Sequence, residues 1–163
     1  MPDPARASRR TARAAARLAA VQALYQMEVT GSPMTEVRRE FEEHRLGAEV
    51  EEPDGARYHD ADLDFFRDIL AGAVAEQARI DRLTDTALVE RWPLGRIDST
   101  LRALFRAAGA ELLRREDIPP RVVIGEYVDV AKAFFSEGKE AKFVNAVLDH
   151  MAREARPGAL DAR

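Results

Sequence analysis

Apolar residues recur along this chain at intervals of three and four, the period of helices buried on one face. The first such stretch is Ser8 to Val29, SRRTARAAARLAAVQALYQMEV, in which Leu18, Val21, Leu24 and Tyr25 form the core-facing stripe. Alanine, the strongest helix former, fills the intervening positions. Thr30-Gly31-Ser32-Pro33 then reads as a stop and a turn. Met34 to Leu46 predicts a short helix held by Val37, Phe41 and Leu46, and the acidic Gly47–Asp60 stretch, with Pro53 and Gly55, predicts a surface loop.

Asp60 or Asp62 caps the next helix. Its stripe is Leu63, Phe66, Leu70, Ala73, Val74 and Ile80, continuing through Leu83 and Leu88 with a bend near Asp81. Trp92-Pro93-Leu94-Gly95 ends it, because proline cannot continue a helix. Asp98 or Ser99 caps a helix carrying Leu101, Leu104, Phe105, Ala108, Leu112 and Leu113 as far as Ile118-Pro119. Pro120 suits the first turn of another, with Val123, Tyr127, Val130, Ala131 and Phe134 inward. Gly138 separates it from a last helix built on Val144, Val147, Leu148 and Met151, and Arg156-Pro157-Gly158 begins a frayed tail. No segment alternates with period two, so the fold class is all-α.

At 163 residues, 46% hydrophobic and 33% charged, the chain is long enough for a substantial core and reads as a soluble globular domain. No apolar run reaches the ~18 residues of a membrane span, and the arginines of the N-terminus precede no signal-like apolar region. The absence of cysteine excludes disulfides, thiolate metal sites and cysteine nucleophiles, and a cytoplasmic location is the simplest fit.

The net charge of −4 conceals an asymmetry. The first twenty residues hold five arginines and one acid, which leaves 20 basic against 28 acidic residues in the rest. Arg6, Arg10, Arg13 and Arg17 are spaced four, three and four apart, on one side of the first helix, with no acid between Asp3 and Glu28. Such a stripe is either a solvated basic tail or a surface for an anion, phosphate above all. The acidic remainder confines any nucleic-acid contact to this face.

Catalytic signatures are missing. His44, His59 and His150 belong to no Glu-x-x-His motif, and no Gly-rich phosphate loop, G-x-S-x-G or H-E-x-x-H is present. Glu126 and Asp129 share a helix face, but a solvated acidic face explains them. The expectation is no enzyme, no metal and no cofactor.

Three blocks carry a family resemblance: Ala20-Val-Gln-Ala-Leu-Tyr25, Phe66-Arg-Asp-Ile-Leu-Ala-Gly72, and a C-terminal set comprising Leu104-Phe-Arg106, Glu111-Leu112, Ile118-Pro-Pro-Arg-Val-Val-Ile124, Glu126-Tyr127, Ala131-Lys132 and Lys142-Phe-Val-Asn-Ala-Val-Leu148. In this order they resemble the NusB family of bacterial transcription antitermination factors, from about Arg9 to Met151, with the Gly47–Asp60 loop outside the match. The resemblance implies one NusB-like domain over 1–163, of two packed helical bundles, an N-terminal subdomain at about 9–92 and a C-terminal one at about 96–155. It implies a non-catalytic factor that, with NusE, a small-subunit ribosomal protein, binds the single-stranded boxA element of ribosomal RNA transcripts. The complex joins other Nus factors on RNA polymerase and carries elongation past Rho-dependent terminators.

By the same resemblance, Arg9, Arg10, Arg13, Arg17, Lys142 and Phe143 are the RNA-binding residues, the cations neutralising phosphates and the phenylalanine stacking on a base. Tyr25, Asp98, Leu101 and Arg102 are the NusE-facing residues. The family often has an acid where Leu101 stands, and Asp98, one turn earlier, is the nearest substitute. The Ser136–Ala141 linker is longer than in some relatives. A homodimer burying the arginine face is a further expectation. Two other readings stay open: the NusB-like RNA-binding part of a ribosomal RNA cytosine methyltransferase, whose catalytic domain and cysteine this chain lacks, and a helical protein–protein adaptor without an RNA role.

Overall fold

A computed structural model describes residues 4–46, 62–88, 97–136 and 138–161, and in them only helices and their connections occur. The helices are α1 (Pro4–Thr30), α2 (Met34–His44), α3 (Leu63–Ala75), α4 (Gln77–Leu88), α5 (Ser99–Arg114), α6 (Pro120–Phe134) and α7 (Gly138–Ala155). The chain divides into two compact units, Met1–Ala71 and Gly72–Arg163. This division falls inside α3, whereas the sequence places a border at the Trp92–Gly95 turn, which lies outside the described residues, as does the Gly47–Asp60 loop with His59.

In the first unit, α1 buries Ala16, Ala19, Ala20, Val21, Ala23 and Leu24. Tyr25 departs from the expected core stripe: it is 40% exposed. Ala20, Val21 and Leu24 already fill the inward arc, and Tyr25 falls at its edge, where only part of the ring is covered. Gly31 ends α1 with φ 71°, a left-handed conformation that glycine adopts without Cβ strain, and its N–H donates to the Met27 carbonyl at 2.9 Å. Phe41 of α2 stacks on Phe66 of α3 with ring centroids 6.0 Å apart. Asp62 caps α3, its Oδ1 accepting from the Phe65 N–H at 3.0 Å, while its own N–H donates to the Ala12 carbonyl of α1 at 3.1 Å.

Arg67 of α3 donates to the Glu42 carboxylate of α2. That hydrogen bond holds the Glu42 carboxyl below its ordinary range, against the opposing effect of partial desolvation. The pair therefore contributes stability above the ordinary carboxylate pKa and loses it as the pH falls through the lowered value. Thermal unfolding at pH 7 and at pH 3 should show a smaller loss on acidification for Glu42→Gln than for the wild type.

In the second unit α4, α5, α6 and α7 surround a core of Ile80, Leu88, Leu104, Phe105, Leu112, Val123, Tyr127, Val144, Leu148 and Met151. Val74, expected in the core stripe, is 43% exposed. The buried row of α3 is Phe65, Phe66, Ile69, Leu70 and Ala73, with Val74 past its edge, and the helix breaks at Glu76, earlier than the expected bend at Asp81. Asp98 rather than Ser99 caps α5, its Oδ1 accepting from the Thr100 N–H at 2.7 Å. Arg106 forms a paired hydrogen bond to both Asp81 oxygens, each at 3.1 Å, tying α5 to α4.

Gly109 lets α5 pack tightly on α4, because a Cβ built there overlaps the Ile80 side chain. Isoleucine is β-branched and stiff at χ1, so Gly109→Ala forces a backbone shift. The expected cost is about 1–3 kcal/mol in chemical denaturation.

Residues 156–161, which follow α7, are not frayed. Arg156 donates to the carbonyls of Leu112 at 2.8 Å, Ile118 at 2.6 Å, Glu111 at 2.9 Å and Arg115 at 2.6 Å. Helix C-termini leave their last carbonyls without intrahelical donors; here one guanidinium supplies the Leu112 carbonyl of α5, adds a second donor to Glu111, which already accepts from the Arg115 N–H, and binds the turn that follows. Burial pushes the Arg156 guanidinium down from its ordinary value, opposed by Glu116, Asp117 and Glu111. Leu160 is buried, and its carbonyl accepts from Arg121 of α6 at 3.1 Å.

Candidate nucleic-acid interface

The cationic end of α1 is the candidate site of the first unit. Arg6, Arg9 and Arg10 are exposed, and the Arg13 side chain is 37% exposed. Arg17 corrects the expected stripe: it is only 3% exposed, although it lies on the same side of the helix. From Ala16 onwards α1 is core, so the fourth arginine of the row points into protein. Its Cζ lies 4.9 Å from the Phe65 ring centroid. The face of the ring thus receives a charge that water no longer reaches. Arg13 Cζ sits 4.8 Å from the same centroid, and its Nε is 4.0 Å from Asp62 Oδ2. One ring on α3 therefore meets two arginines of α1.

In the second unit, Lys142 and Phe143 are neighbours near the start of α7. Lys142 is exposed. Phe143 is half-buried, its ring meeting Phe105 edge-on at 6.2 Å and 70°. The expectation of an open stacking platform is corrected in part: some of the ring is committed to the core, because Phe105 behind it is fully buried. Lys139, one turn before Lys142, is also exposed and escaped the sequence reading. Its signal was the spacing of three within Gly138-Lys139-Glu140-Ala141-Lys142. The arginines and this lysine pair belong to separate units.

The expected protein-facing residues are more mixed. Tyr25 is exposed on α1. Asp98 is exposed, but one oxygen is engaged as the α5 cap. Arg102 is partly buried, with Nη1 donating to the Ile97 carbonyl at 3.2 Å and Nη2 to Ser99 Oγ at 3.1 Å. Leu101 is 8% exposed and belongs to the apolar face of α5, which corrects its reading as a partner-facing position.

Of the two caps the sequence offers, Asp60 and Asp62, it is Asp62 that caps α3, while Phe65 escapes the sequence pattern altogether, because Phe66 alone fits the stripe. Two adjacent phenylalanines were the available signal, one for the core and one for α1. Among the described residues, no cluster of three or more His, Asp or Glu is placed to hold a metal ion, and no helix is long and apolar enough to cross a membrane.

Residues 14–153 match the NusB family. The transcription antitermination protein NusB of Mesorhizobium japonicum is 56% identical over 144 residues, covering 88% of this chain and 90% of that protein. Its counterpart in Nitrobacter hamburgensis is 57% identical over 146 residues, covering 90% and 89%. Among solved structures, T. maritima NusB superposes with a TM-score of 0.71 at 28% identity, covering 92% of this chain and 97% of that one. The fold also matches a chain from a crystal structure of antitermination factors NusB and NusE in complex with double-stranded RNA. That match has a TM-score of 0.69 at 23% identity and covers 88% and 98%.

Proposed function

The chain belongs to the NusB family, and from that premise we propose that it is an RNA-binding transcription antitermination factor. It acts with NusE on the single-stranded boxA element of ribosomal RNA transcripts, within a complex of other Nus factors and RNA polymerase, and promotes elongation past Rho-dependent terminators. The observation that carries this reading is the solvent-facing arginine end of α1, Arg6, Arg9, Arg10 and Arg13, in a chain whose remainder is acidic. Relatives named as transcription antitermination proteins, matched over about nine tenths of their length, support the same reading.

In this reading Arg9, Arg10, Arg13 and Lys142 neutralise phosphates, which supplies affinity without sequence information. Bases splayed from a single strand supply the preference, with the accessible part of Phe143 as one surface for them. Arg17 contributes from beneath, through Phe65. Tyr25, Asp98 and Arg102 are the proposed NusE-facing side chains, with Leu101 supporting them from the α5 core face. The role is non-catalytic and cytoplasmic. Self-association that hides the arginine face is a proposed resting state.

The reading is tested by transcription in vitro from a template carrying boxA upstream of a Rho-dependent terminator. Adding the protein to polymerase, Rho, NusE and the other Nus factors should raise readthrough, and scrambling boxA should abolish the gain. Equal readthrough on both templates would leave the adaptor reading in its place.

A further inference from the structure

An arginine loses rotamer entropy when its long side chain is ordered at the moment of binding, which subtracts from its affinity for a phosphate. On α1, one of the outward arginines is already held. The Arg13 guanidinium lies over the Phe65 ring, 4.8 Å from centroid to Cζ, and its Nε side faces Asp62 Oδ2 at 4.0 Å. Phe65 is itself fixed: it is 2% exposed, and its N–H is bound by the same Asp62 that caps α3. The Asp62 N–H reaches back to the Ala12 carbonyl, so the residue preceding Arg13 is tied to the same point. Arg17 is buried, with its Cζ 4.9 Å from the centroid of the same ring.

We propose that Phe65 is a positioning residue for RNA binding: it holds the Arg13 guanidinium in place, with Asp62 on the Nε side, so that the terminal Nη groups are presented to a backbone phosphate. Arg17 touches no phosphate and braces the ring. The inference rests on the RNA-binding reading above and adds to it a residue of α3 that never meets the RNA.

The test is a double-mutant cycle on the full chain with NusE and a short boxA RNA, comparing wild type, Phe65→Leu, Arg13→Ala and the double variant at two salt concentrations. Thermal midpoint and NusE affinity are measured on the same samples. Phe65→Leu should weaken RNA binding roughly three- to tenfold, as expected for losing a cation–π platform and the order it imposes. In the Arg13→Ala background the same change should have almost no effect on RNA. An equal loss from Phe65→Leu in both backgrounds, or no loss in either, overturns the proposal while leaving RNA binding by the wild type intact. Absence of boxA preference in the wild-type complex overturns the RNA reading and this inference together.

Should the leucine variant not fold, the wild-type protein carries the test. The Nε–Hε resonances of Arg13 and Arg17 should both show a ring-current shift, and boxA RNA should move Arg13 and leave Arg17 in place. An unshifted Arg13 resonance, or equal movement of both, contradicts the proposal.

Discussion

Replacing Arg156 with alanine lowers the thermal midpoint by roughly 6–12 °C, the shift expected when a chain of this size loses about 3 kcal/mol. The side chain donates four hydrogen bonds to backbone carbonyls at the end of α5 and just beyond it. Leaving a buried acceptor unsatisfied costs about 1–3 kcal/mol. Water recovers part of that here, because the cluster lies near the surface. A positive charge at a helix C-terminus adds about 0.3–1 kcal/mol. Arg156→Lys retains the charge but offers a single ammonium in place of a planar fork, so it should recover less than half of the loss. Differential scanning fluorimetry of the three proteins reads both effects. A midpoint within about 2 °C of wild type for the alanine variant, an outcome well below the shift given above, would show that the clamp carries little weight.

The second large effect is on RNA. Converting Arg9, Arg10 and Arg13 together to alanine should weaken boxA binding by the NusE complex about 30- to 100-fold. It should also flatten the salt dependence by about 2 units of slope, at roughly 0.7 for each single-strand phosphate that is no longer neutralised. Arg17→Ala should behave differently. Removing a guanidinium buried against Phe65 opens a void and abolishes a cation–π interaction, so it lowers stability and leaves the salt slope nearly unchanged. Fluorescence anisotropy at several salt concentrations separates the two variants. A slope reduction for Arg17→Ala equal to that of a surface arginine would contradict its assignment as a brace.

The contrast between Arg17 and its neighbours shows where sequence reading stops. Spacing places Arg6, Arg10, Arg13 and Arg17 on one side of α1, but depth along a helix is set by what docks on it, and Phe65 comes from another helix. Local chemistry was legible: the caps at Asp62 and Asp98 and the turn at Gly31 each rest on a side chain or φ value within a few residues. The break at Glu76 was displaced to Asp81 because every residue from Phe65 to Leu83 except Gly72 is acceptable in a helix, so the sequence holds no stop signal there. Arg156 was read as part of a tail because it precedes Pro157-Gly158. Its partners lie 38 to 45 residues away, and no local pattern announces a bond of that range. Leu101 carried two readings at once, apolar stripe and partner surface, and burial decided for the first.

Titration of a short boxA RNA against a scrambled RNA, with and without NusE at two salt concentrations, separates an antitermination factor from a protein with a generic basic end. The expected result is a preference for boxA, strengthened by NusE and falling with a slope of about −2 to −3 per decade of salt for three or four phosphate contacts. Equal, weak binding to both RNAs in the presence of NusE would contradict it and reduce the arginines of α1 to a solvated basic end.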